Sequence, residues 1–121
     1  MEGIVTIILA AGKGTRMKSD LVKVLHPLLG VPMLSYSINL SLNEVKAEKT
    51  IVVVGYQADQ IKDRFKDPRI LFALQEEQLG TGHAAFQALS VLKNFTGKAL
   101  ILCGDVPLVM KETILSFVEA F

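Results

Sequence analysis

The sequence predicts an α/β fold, a Rossmann-like three-layer αβα arrangement around a mostly parallel sheet, of which this chain carries the first part. Two observations lead there. Four short apolar runs, residues 4–10, 50–54, 70–74 and 99–103, recur along the chain. The first two and the last are nearly continuous in apolar residues, as strands covered on both faces are. The segments between the runs carry apolar residues at helical spacing instead, and strand–helix alternation favours a parallel sheet with right-handed crossovers.

In order, the strand Ile4–Ala10 opens into a glycine-bearing loop, Gly12-Lys13-Gly14-Thr15-Arg16. A helix over 33–45 follows from Leu34, Ile38 and Leu42, four residues apart. After the strand 50–54 and the turn Gly55-Tyr56-Gln57, a second helix is marked by Ala58, Ile61 and Phe65, and Asp67-Pro68 closes it. The strand 70–74 runs into the loop 75–81. A third helix carries Ala85, Leu89 and Leu92, Gly97 precedes the strand 99–103, and Ile114, Val118 and Phe121 begin one more helix. Ligands of such sheets bind beyond the carboxyl ends of the strands, so the four loops that follow them should face one crevice.

Composition excludes several classes. Of 121 residues half are hydrophobic and the net charge is +1, which leaves no electrostatic footprint for nucleic acid or a membrane surface. Mean hydropathy is +0.41, high for a free-standing domain of this size; both a doubly covered sheet and a further segment covering apolar surface would raise it. No segment approaches the roughly 18 apolar residues of a membrane span. Met1-Glu2-Gly3 lacks a basic signal-peptide start and Cys103 is the one cysteine, so a cytoplasmic protein without disulfides is expected. Cys103 itself is expected to be a buried strand residue.

The candidate site follows from the strand ends. In Leu9-Ala10-Ala11-Gly12-Lys13-Gly14-Thr15-Arg16, the glycines let backbone amides approach an anion, and Arg16 adds a planar fork of donors for phosphate. The run fits neither the dinucleotide fingerprint, since Met17 stands at the third glycine, nor the Walker pattern. A longer cationic loop that wraps a triphosphate is expected, against the alternative of an ordinary glycine-rich turn. Lys23 is a second cation, useful where charge builds up in phosphoryl transfer, or else a surface lysine. Gln75 and Gln78 offer donors and acceptors for a base edge, Gly80 and Gly82 permit close approach, and Thr81 is placed to cap the helix after them. His26 and His83 read as structural. In Cys103-Gly104-Asp105, the carboxylate at a strand tip is a hard-metal ligand of the kind magnesium uses with substrate phosphates, or a turn residue ahead of Pro107.

Together these segments resemble the sugar-nucleotidyltransferase family, and within it the uridylyltransferases that act on N-acetylglucosamine 1-phosphate. The resemblance rests on residues 9–17, 19–27 with Gly30 and Pro32-Met33-Leu34, 75–84 and 104–108, in the family's order along essentially the whole chain. It implies nucleotide contacts from Leu9, Ala10, Ala11, Gly12 and Gly14, phosphate contacts from Arg16 and Lys23, and uracil contacts from Gln75, Gln78, Gly80 and Thr81. Cys103 and Gly104 join the nucleotide contacts, and Asp105 holds Mg2+. The implied reaction joins UTP and N-acetylglucosamine 1-phosphate, giving UDP-N-acetylglucosamine, a cell-envelope precursor, and pyrophosphate. Arg16, Lys23 and Asp105 are its catalytic residues. Another sugar phosphate, such as glucose 1-phosphate, is the alternative substrate, and a non-catalytic nucleotide-binding fragment is the alternative for the chain by itself. Val22, Val31 and Cys103 depart from the family's usual proline, lysine and tyrosine. Residues 1–121 are expected to be the N-terminal portion of a catalytic domain whose sugar pocket and second metal ligand lie further on. The family's bifunctional members add a β-helix acetyltransferase domain through which they trimerise.

Overall fold

Each apolar run becomes a strand. In the computed structural model, which describes residues 3–11, 23–55, 58–77, 80–92 and 97–104 (backbone only at Lys23 and Thr81), β1 is Ile4–Leu9. A 3-10 turn at Lys23–Leu25 leads to a small antiparallel hairpin, β2 (Pro27–Leu28) and β3 (Val31–Pro32). There follow α1 (Met33–Asn39), a π-helical segment (Leu40–Val45), β4 (Lys49–Val54), α2 (Ala58–Arg64), β5 (Ile70–Leu74), α3 (Thr81–Leu89) and β6 (Lys98–Cys103). The helix expected over 33–45 is therefore present, its second half widened to π geometry.

The main sheet has the order β5-β4-β1-β6, every pair parallel. β1 and β4 lie inside it and are buried almost throughout, as continuous apolar runs require. β5 and β6 are edges among the described strands and are only partly buried, β6 in alternation. One face of the sheet, through Ile8, Val52, Val54, Leu100 and Leu102, packs against Leu34 and Ile38 of α1, Leu40 and Val45 of the π segment, and Ile61 of α2. The other face, through Val5, Ile7, Ile51, Val53 and Ala73, packs against Ala84 and Ala88 of α3 and against Leu92.

Three expectations change here. The inward stripe of α3 is Ala84 and Ala88 with Leu92 beyond it, one residue out of phase with Ala85 and Leu89; Leu89 is 48 % exposed. Small residues there let the helix lie close to the sheet. In the first helix the centre of the stripe is Ser41 rather than Leu42. The Ser41 hydroxyl is hydrogen bonded to the Thr50 hydroxyl of β4 at 2.6 Å, so a polar residue occupies a core position. Cys103 is exposed, because α3 covers β1, β4 and β5 and leaves Ala99, Ile101 and Cys103 of β6 uncovered among the described residues. The helix expected from Ile114 lies outside the described residues. No described helix is long and apolar enough to cross a membrane.

Candidate nucleotide-binding site

The strand order creates a switch point. From β1 the chain moves outward through β4 to β5, then returns to place β6 on the opposite side of β1. The crevice of an open parallel sheet lies at such a reversal, beyond the carboxyl ends of the two strands that flank it. Here those ends are Leu9-Ala10-Ala11 and Cys103-Gly104. They are tied together, since the Gly104 N–H donates to the Leu9 carbonyl at 2.9 Å. The Ala10 N–H donates to Val53 O at 2.9 Å on the other side.

Gly104 is glycine for a packing reason. A Cβ there would lie 3.1 Å from Leu9 O, 3.1 Å from Leu34 Cδ1 and 3.2 Å from Val24 Cγ1. The same contact brings the Lys23–Leu25 turn under the switch point, because Val24 sits beside Gly104; the backbone of Lys23 is one residue away. The Ser37 hydroxyl of α1 donates to Cys103 O at 3.5 Å. The structure thus brings Leu9, Ala10, Ala11, the Lys23 backbone, Cys103 and Gly104 together at one end of β1 and β6. Gly12, Gly14, Arg16, Gln78 and Asp105 lie outside the described residues.

The second group forms beyond β5. The Gln75 N–H donates to Val54 O at 2.7 Å, which continues the ladder past the strand end and holds the residue 3 % exposed. Its side-chain Nε2 lies 3.4 Å from Gly80 O and 3.0 Å from His83 Nδ1. His83 Nε2 lies in turn 3.2 Å from Gln87 Nε2, one turn further along α3. Gly80, not Thr81, is the N-cap of α3, and no side chain caps it; Thr81 is the first helical residue. Gly80 has φ 101° and ψ 176°, a conformation open essentially to glycine alone. Its requirement is conformational, whereas a Cβ would meet nothing within 4 Å.

The link from Gln75 through His83 to Gln87 was not read from the sequence, although the four-residue spacing of His83 and Gln87 puts them on one helix face. A hollow of about 330 Å³ beside it is lined by Leu74, Glu76, Glu77, His83 and Gln87. Two carboxylates make it a poor seat for phosphates. Among the described residues no group of three His, Cys, Asp or Glu side chains is gathered as metal ligands.

The fold defines the class: an α/β nucleotidyltransferase-type domain. A nucleotidyl transferase from Methanothermobacter thermautotrophicus superposes with a TM-score of 0.82 at 21 % identity, over 98 % of this chain and 58 % of that one. The chain belongs to the family of MobA-like NTP transferase domains, whose pattern matches residues 6–121. Among curated proteins it is 52 % identical over 121 residues to the bifunctional protein GlmU of Geobacter metallireducens, covering 99 % of this chain and 25 % of that protein. It is 52 % identical over 120 residues to the bifunctional protein GlmU of Geotalea daltonii, covering 98 % and 26 %. The chain thus spans about a quarter of the length of the curated relatives it matches.

Proposed function

We propose that this chain is the nucleotide-binding N-terminal portion of a sugar-phosphate uridylyltransferase, which joins UTP to N-acetylglucosamine 1-phosphate with release of pyrophosphate, in the cytoplasm. The observation that carries the reading is the switch point, where Leu9–Ala11, the Lys23 turn and Cys103-Gly104 converge. The two GlmU relatives support it at 52 % identity.

In this reading the loop 12–16 holds the triphosphate, and Arg16 and Lys23 neutralise charge that grows as the sugar phosphate attacks the α-phosphorus in line. No covalent enzyme intermediate is required. Gln75, Gln78, Gly80 and Thr81 surround the uracil. Asp105 follows Gly104 in sequence and would supply the carboxylate that Mg2+ combines with water and substrate phosphates. When bound, the ion supplies Lewis-acid stabilisation of phosphate oxygens. The chain spans about a quarter of its curated relatives, and in this reading the sugar pocket lies in the part it does not span, so the chain by itself binds nucleotide without turnover.

The test is calorimetry of the chain with UTP and Mg2+, beside pyrophosphate release by the longer protein with N-acetylglucosamine 1-phosphate or glucose 1-phosphate. UTP binding by the chain and release with N-acetylglucosamine 1-phosphate are expected. No binding, or preferential release with glucose 1-phosphate, refutes the assignment.

A further inference from the structure

The neighbours of Gln75 favour one orientation of its amide. Gly80 O is an acceptor only, so of the two amide atoms it is the Gln75 nitrogen, 3.4 Å away, that can hydrogen bond to it. The second hydrogen of that nitrogen points to His83 Nδ1 at 3.0 Å. Nδ1 must then be the bare, accepting nitrogen of the ring, and Nε2 carries the hydrogen. Gln87 lies 3.2 Å from Nε2 with its own nitrogen nearest. Two N–H groups cannot face one another, so the half-buried Gln87 amide turns to present its oxygen. Every member of the chain then has a consistent role. Both Gln75 hydrogens are engaged within the protein, and what its amide retains for a ligand is the oxygen Oε1.

We propose that His83 is the positioning residue that fixes the Gln75 amide with its oxygen directed to the base, so that recognition at this point accepts a hydrogen bond and does not donate one. This rests on the uridylyltransferase reading above, in which Gln75 meets the base. An acceptor-only group matches the N3–H of uracil and opposes the bare N3 of cytosine. Without His83 the amide can turn over, present its nitrogen, and accept either base. His83 touches no substrate, and its role is exerted wholly through Gln75.

Two variants separate this role from simple support of α3. His83→Leu removes the acceptor, whereas His83→Asn restores one, because its Oδ1 can occupy the place of Nδ1. UTP and CTP binding, each with Mg2+, is measured by calorimetry on the native chain and both variants. Nitrogen-15 NMR of the native ring reports which nitrogen is bare. The native chain is expected to prefer UTP, with Nδ1 unprotonated. His83→Leu should lower the UTP-to-CTP affinity ratio about tenfold, the scale of one misplaced hydrogen bond, and His83→Asn should keep the native ratio. An unchanged ratio in His83→Leu, or a hydrogen on Nδ1, overturns the proposal while leaving UTP binding intact. A native chain that binds neither nucleotide, or both equally, overturns the uridylyltransferase reading itself.

Discussion

On the α1 and α2 face the sheet is covered by long aliphatic side chains, Leu34, Ile38, Leu40, Val45 and Ile61 among them, whereas on the α3 face two alanines, Ala84 and Ala88, meet Val5, Ile7, Ile51 and Val53. The first face interposes long side chains between helix and sheet. The second sets small ones there, and α3 approaches β1, β4 and β5 closely. That close approach brings the start of α3 to the sheet end, where Gly80 and His83 reach Gln75. The wider face instead supports the switch point from beneath, through Leu34 and Val24 against Gly104. One face supplies bulk under the switch point and the other supplies proximity around Gln75.

The sharpest break of this contrast is truncation on the thick face. Leu34→Ala should cost about 2–5 kcal/mol in urea unfolding, since a fully buried leucine leaves a cavity the sheet cannot close. On the thin face enlargement is the damaging change: Ala88→Leu, at a fully buried site, should cost about 1–3 kcal/mol and push α3 outward. A neutral Ala88→Leu would show that α3 is free to move away and would end the contrast.

A smaller pair tests the polar spot within the thick face. Ser41→Ala strands the buried Thr50 hydroxyl and should cost about 1 kcal/mol, while Thr6→Val removes a buried hydroxyl without a hydrogen-bond partner and should gain about as much. Equal signs in chemical denaturation would refute the assignment of the pair.

The smallest effect lies at the far end of the thick face, in the turn before β5. There the Arg69 guanidinium donates to the Asp67 carboxylate, its Nη2 2.7 Å from Oδ2, and the Arg69 N–H donates to Oδ1 at 2.9 Å. These hydrogen bonds, the side-chain ones first, lower the Asp67 pKa from 3.8 to about 2. A depressed carboxylate stabilises the fold above its unfolded pKa and loses that contribution as pH falls through the folded one. The gain is therefore complete above about pH 4 and gone near pH 2. Asp67→Asn should flatten the stability profile in that window alone, and the change should be slight because Arg69 is exposed and Asp67 only partly covered.

The strands were legible because β1 and β4 are apolar without interruption, and hydropathy alone marks such runs. The second helix was legible through Ile61, which is fully buried. What escaped had a different physical origin. Ser41 occupies a core position through a hydroxyl pair, which an apolar pattern cannot register. The stripe of α3 runs through alanines, so a reading that follows the larger Leu89 lands one residue away from it. Cys103 looked buried because its strand is apolar, yet burial there depends on which helix covers β6, a tertiary matter. At the site, Leu9–Ala11 and Cys103-Gly104 were legible as strand ends. The tight packing at Gly104 and the contact of His83 with Gln75 depend on the fold as a whole, which no local pattern contains.

The rungs that extend the ladder past the strand ends also restrict which peptide groups can meet a ligand. The amides of Ala10, Gln75 and Gly104 are already engaged with Val53, Val54 and Leu9 carbonyls. A peptide hydrogen engaged in a neighbouring strand cannot turn to an incoming anion without breaking the sheet. In the proposed function, these three peptide N–H groups are therefore not the ones that meet a phosphate.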